Sequence, residues 1–564
     1  MKTCISGLTK LREQVLNTIP LYLLMIFFLF LSACSSASAS QTTTSTDPDQ
    51  FGNYYLVTSN PVPTSTPFQP VTPTLSADLS GQSLPSPYPT FTTIPAVSTT
   101  PVVELSTLSP VTPTLQPEIV STDNPTPLPP DPVVIPAVNR PQYYITALMD
   151  YDGHTLSVSE NVVYPNQSDS PMNSISLAVN SNLWSGVFVL QSIMVNDQSS
   201  ANYSLGGQWL TVNLDTALQP GQAVKIGIGY LLNLPYSSAK FENFGYTSRQ
   251  SNLIDWYPFV PPFINGQWVL PDPYMYGENL VYDKADFHIN LSFTDPANAP
   301  VIAASAPGIS ENGGLVYNLE NARNFTISAS PYFLVSQADA NGVTVYNYYF
   351  SGDDSAAAMV LELTRMAVNT YSLEFGQYPH TSLSVCETDL NDGLETDGLY
   401  FLASNFYAAY NGTVKNNLSI IAVHETAHQW WYGAVANNQA VEPWLDEAMA
   451  TYSEHVFYED NYPDLVNWWW GFRVNWHSPS GWVDSRVYDT SSFTSYINAV
   501  YFNGAYFIQE LRDRAGSPAF FQFLRYYYDF YNGRIVTTND FLSTYQQVTG
   551  ANISDLVKKY FYYH

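Results

Sequence analysis

Cysteine is nearly absent from this chain: 564 residues hold three, Cys4, Cys34 and Cys386. Few residues carry positive charge, with 19 Lys and Arg against 48 Asp and Glu, a formal net charge of −29. A polyanion of this kind is repelled by phosphate backbones, which excludes nucleic acid as a partner. Charged residues of either sign make up only 12%, well under the roughly 25% of ordinary soluble proteins. Tyr, Thr, Ser and Asn supply the polar surface instead, a composition suited to an exported protein. Long apolar runs are missing as well. The longest, Ile19 to Leu31, is broken by Pro20 and falls short of the ~20 residues that span a bilayer. The length itself exceeds one compact domain and predicts two or three units.

The N-terminus has the layout of a secretory signal: Lys2, Lys10 and Arg12 precede the short apolar run. The run ends in Leu31-Ser32-Ala33-Cys34, which resembles the lipobox of bacterial lipoproteins. That resemblance implies a signal peptide over 1–33, cleavage before Cys34, and acylation of Cys34 as a membrane anchor. Removal of Cys4 and acylation of Cys34 leave Cys386 alone, so no internal disulfide is expected and stability must come from core packing. From Ser35 to Asn139 there is no Lys or Arg, and half of the 40 prolines fall there. Such a Ser/Thr/Pro-rich segment cannot bury enough apolar surface to offset chain entropy, so residues 34–139 read as a disordered stalk.

Residues 140–340 change to short runs of period two, such as Thr155-Leu156-Ser157-Val158-Ser159, punctuated by turns at Asp152-Gly153 and Pro220-Gly221. This predicts an antiparallel β domain. From 345 to 564 the period is helical apart from one strand near Thr381–Val385, which predicts an α+β domain.

The chemistry sits in the second part. His424-Glu425-Thr426-Ala427-His428 lies in an apolar run, Leu418 to Val435, suited to a buried helix. Two histidines four apart share a helical face and can converge on one ion, while Glu425 lies beside that face, within reach of a water. A catalytic zinc takes three protein ligands. Glu447 is the candidate third, with 18 residues between it and His428, on a second helix opened by Pro443. One zinc per chain is therefore expected, held by His424, His428 and Glu447, with Glu425 as general base.

These residues, with Gln429-Trp430-Trp431 and Trp444-Leu445-Asp446-Glu447-Ala448, resemble the membrane alanyl aminopeptidase family of gluzincins. The resemblance implies a saddle-like N-terminal sheet domain and a thermolysin-like catalytic domain over 345–564. It also implies that Tyr501, in Ala499-Val500-Tyr501-Phe502-Asn503-Gly504-Ala505, donates to the oxyanion, although Asn503 stands where the family has Lys. Asp392-Gly393-Leu394-Glu395-Thr396 resembles the family's amine-binding stretch, making Glu395, with Gly393 beside it, the substrate-binding element; Asp392, Leu394 and Thr396 depart from the pattern. The helices Ser517–Tyr531, Asn539–Val548 and Ser554–Tyr563 lead to the last residue without the long helical domain of the larger members, which implies a more open cleft. The expected function is zinc-dependent removal of N-terminal residues from peptides by a surface-anchored lipoprotein. Three alternatives stay open at this point: a zinc endopeptidase with the same centre, a non-catalytic surface peptide-binding protein, and a structural stalked adhesin, which would explain the linker but not the metal site.

Overall fold

A computed structural model describes residues 138–237, 244–389 and 392–564. The signal segment, Cys34 and all but the last two residues of the Ser/Thr/Pro-rich stretch lie outside the described residues.

The first half is built from strands whose alternation is visible residue by residue. In Gln142–Asp150, Tyr143, Ile145, Ala147 and Met149 are buried while Tyr144 and Leu148 face out, as a pleat with one covered face requires. This strand and Thr155–Pro165 are central in an eight-stranded sheet. Smaller sheets of three and four strands lie alongside, and one apolar core unites them. The expectation of an antiparallel domain needs one correction: Gln142–Asp150 pairs in parallel with Ala285–Phe293. Parallel neighbours need a long crossover, and here the chain makes the intervening hairpins and loops before it returns along the first strand.

The second half opens earlier than the sequence pattern implies. Leu334–Ala340, expected in the β domain, is the edge of a different, five-stranded sheet. Val343–Tyr349 is its neighbour rather than the start of helical structure, with Val343, Val345 and Asn347 buried in alternation. The helical period begins only at Asp354–Glu374. Ser382–Thr388 and Leu399–Ala403 continue the sheet in parallel, and Leu394–Thr396 closes it in antiparallel register, with Glu395 opposite Tyr400. Helices Asn417–Ala427, Trp444–Asn461, Asn503–Ala515, Ser517–Tyr531 and Thr538–Thr549 pack on this sheet and on each other around a second core. Cys386 is buried on its strand.

The two halves are joined by buried polar contacts. Asp397 takes Lys284 Nζ at 3.0 Å, His380 Nε2 at 2.8 Å and the Arg323 backbone N–H at 2.7 Å. Burial opposes its charge, but Lys284 and His380 outweigh burial and hold the carboxyl well below the usual range. The Arg323 guanidinium donates to the carbonyls of Gly433, Ala434, Arg534 and Tyr282.

Candidate metal centre

The expected helix from Leu418 to Val435 is shorter in the structure. The Asn416 side chain caps its start by accepting from Ser419 N–H, and it ends at Ala427. Beyond it the hydrogen bonds widen, from Gly433 N–H to His428 O and from Ala434 N–H to Gln429 O. Tyr432 adopts φ 137°, outside the helical region, and is buried within the core of the first half. His428 itself keeps helical angles, so the four-residue stacking of the two imidazoles survives the helix end.

His424 Nε2 lies 3.2 Å from His428 Nε2, and Glu447 Oε2 lies 3.3 and 3.6 Å from the same two atoms. Helix Trp444–Asn461 brings Glu447 there from its first turn. Bonds of about 2.0–2.1 Å at tetrahedral angles place ligand atoms about 3.3 Å apart, so the three donors fit one zinc ion. The donor set, two imidazoles and one carboxylate, is also one that zinc favours.

The far sides of the rings are fixed. His424 Nδ1 lies 2.8 Å from Glu454 Oε1, and His428 Nδ1 lies 3.1 Å from the Trp431 carbonyl. Each of these acceptors places the ring proton on Nδ1 and leaves Nε2 free to ligate. Glu454 is in turn held by the Arg473 guanidinium and Trp469 Nε1. Neither Glu454 nor Arg473 was singled out from the sequence. Glu454 lies seven residues after Glu447, two turns along the same helix, and that spacing was a readable signal.

Glu425 is buried beside the cluster, and its Oε2 has no hydrogen-bond partner. Burial pushes its carboxyl up to about 8, opposed by His424 and His428. An orphaned buried acceptor next to three convergent donors is what a water-activating base requires before substrate and metal arrive. Gly393 lies against it: a Cβ there would overlap the Glu425 carboxylate and Ile421. The glycine expected in the substrate-binding stretch therefore lies against the carboxylate expected to be the general base.

Tyr501 sits on a π-helical turn, Asn498–Phe502, its ring parallel to that of His424 at a centroid distance of 6.0 Å. Burial, then the charge of Glu447, pushes its phenol well above the usual range, so it is a hydrogen-bond donor. Gly504 allows close packing on Ala448 of the ligand helix. Asn503, at the position of the family's Lys, donates to the Gly481 carbonyl.

Glu395 is buried on the edge strand and accepts from Gln439 Nε2 at 2.8 Å. Its carboxylate, that of Glu425 and a ring nitrogen of His428 all lie within 4.8 Å of one another. It lines a cavity of about 260 Å³ whose other wall comes from the first half, including Asp255, Glu278 and Tyr282. Glu278 was missed because it arrives on a non-periodic loop that leaves no pattern in the sequence.

Residues 359–560 match the Peptidase family M1 domain. Over 236 residues the chain is 25% identical to Aminopeptidase M1-C of Oryza sativa subsp. japonica, a match covering 39% of this chain and 26% of the rice protein. The chain thus spans about a quarter of the length of the curated relatives it matches. The fold is similar to that of an M1 zinc metallopeptidase from Deinococcus radiodurans (TM-score 0.56, 19% identity), covering 75% of this chain and 94% of that one. It is also similar to a mutant of the Deinococcus radiodurans enzyme bound to a Tyr-Ser-Ala substrate (TM-score 0.53, 19% identity), covering 74% and 94%. Residues 359–560 therefore form a peptidase family M1 domain, in agreement with the gluzincin aminopeptidase resemblance carried by His424–His428 and Glu447.

Proposed function

We propose that this chain removes N-terminal residues from peptides with a zinc ion held by His424, His428 and Glu447. The observation that carries this reading is the convergence of those three buried donors beside the unpartnered Glu425 carboxylate, with Glu395 at its edge. When bound, zinc supplies a Lewis acid for the scissile carbonyl and for the attacking water. Glu425 takes the proton of that water and returns it to the leaving amine. The Tyr501 hydroxyl donates to the oxyanion of the tetrahedral intermediate, a contact whose loss in other enzymes costs roughly 100-fold or more in rate. Glu395 pairs with the α-ammonium, so the first peptide bond is the one presented to Glu425 and cleavage falls one residue in.

The test compares free and N-acetylated peptides with the purified chain, with and without a chelator, and repeats the assay with Glu425→Gln. Free peptides should be cleaved faster by one to two decades, the worth of one charge-assisted contact. The chelator should stop turnover, and Glu425→Gln should bind zinc yet be inactive. Equal cleavage of acetylated peptides would make the chain an endopeptidase, and activity that survived the chelator would remove zinc from the reading.

We propose also that a lipid on Cys34 holds the enzyme at the outer side of a bacterial cell membrane, on the strength of Leu31-Ser32-Ala33-Cys34 and the Lys- and Arg-free segment after it. Cys34→Ala should release the protein or leave it unprocessed. Unchanged membrane retention with an unchanged mature mass would disprove the anchor.

A further inference from the structure

We infer that the cavity beside the metal centre receives a first residue with a cationic side chain, Lys or Arg, whose charge pairs with Glu278 and Asp255. The inference rests on the aminopeptidase reading and names its substrate class.

Among the described residues three carboxylate side chains line the cavity, Asp255, Glu278 and Glu395, and none of the described lining residues is Lys, Arg or His. Glu395 is the partner of the α-ammonium. Among the described residues of the cavity, Asp255 and Glu278 are then left with no positive charge beside them. Their surroundings make this costly. Burial and the negative charges of Glu395, Glu447 and Asp446 push the Glu278 carboxyl well above the usual range. Burial pushes Asp255 up to about 6, opposed only by the Tyr282 hydroxyl that donates to it. Nothing in the metal chemistry uses either group, and both come from the half of the chain that holds no zinc ligand.

Asp255 is also held in the left-handed backbone region, at φ 51°. Such a conformation is uncommon for a residue with a Cβ and collects at binding sites. The rest of the wall is aromatic: Trp184 and Phe244, stacked at 5.8 Å, with Tyr274, Tyr282 and Tyr432. A Lys or Arg stem can lie along such rings while its head reaches the carboxylates, and the ring faces themselves favour a cation. A neutral apolar first residue leaves both carboxyls uncompensated, and an acidic one adds a like charge to them.

The experiment measures equilibrium binding of L-arginine and of L-citrulline, its uncharged near-isostere, to the zinc-loaded full chain by titration calorimetry. Arginine should bind tighter by roughly tenfold or more, the discrimination expected of one charge-assisted contact. In Glu278→Gln the arginine-to-citrulline ratio should fall several-fold, and Asp255→Asn should lower it again. Equal binding of the two ligands by the unmodified chain would overturn the inference, as would a ratio that both substitutions leave intact. Binding is read without turnover. A failure here therefore leaves peptide hydrolysis standing, and a failure of hydrolysis leaves the ratio standing.

Discussion

A histidine can offer a metal either ring nitrogen, and at His424 the choice is made by Glu454. The carboxylate holds Nδ1 at 2.8 Å and is itself locked by Arg473 and Trp469. Burial opposes its charge, while Arg473 and His424 keep the carboxyl below its ordinary value. Glu454→Gln keeps an oxygen for the ring N–H but removes the charge that raises imidazole basicity. It should weaken zinc binding by about 10–100-fold, as losses of such supporting groups do. Competition against a chromophoric chelator measures this, and an unchanged affinity would show that Glu454 has only a packing role. The ligands themselves were legible in the sequence because two lie on one helix with fixed periodicity and the third begins the next. Glu278 and Asp255 were not, since what brings them to Glu395 is the docking of one half on the other.

At the scale of elements, the pattern of strands followed by helices was readable, and its boundaries were not. Leu334–Ala340 and Val343–Tyr349 alternate like the strands before them, so nothing in their own residues says that they pair with a different sheet. The metal helix looked longer than it is because Trp430, Trp431, Ala434 and Val435 are all buried. An apolar run reports burial, and only the backbone shows that the helix stops at Ala427. The loop leading to the edge strand carries Gly393 against the base. Gly393→Ala should force the Glu425 carboxylate aside. We expect kcat to fall by at least about tenfold, the scale of losses when a general base is misplaced, with zinc content unchanged. Steady-state kinetics beside metal analysis checks this; a rate within a factor of two of the unmodified chain would mean that the loop moves instead.

At the scale of the whole described unit, the two halves are held by buried charge rather than by apolar surface alone. Lys284 and Asp397 are nearly inaccessible, 7% and 0% exposed. Removing one member of such a pair leaves the other desolvated and uncompensated, at a cost of about 3–5 kcal/mol. Lys284→Met keeps most of the volume and should show a loss of that size in denaturant melts. A loss below about 1 kcal/mol would mean that His380 and the Arg323 N–H are sufficient for Asp397. Arg323 has a different reach. Its guanidinium, from the first half, holds the carbonyls of Gly433 and Ala434 in the turn that directly follows His428. The geometry of a zinc ligand is therefore secured by a residue about a hundred positions earlier in the chain. For heredity this makes the two halves one piece. A recombination joining the first half of one gene to the second half of a distant relative would sever Arg323 from its carbonyls and Asp397 from Lys284. Crossovers between 323 and 433 would yield chains with the zinc ligands intact in sequence and misplaced in space.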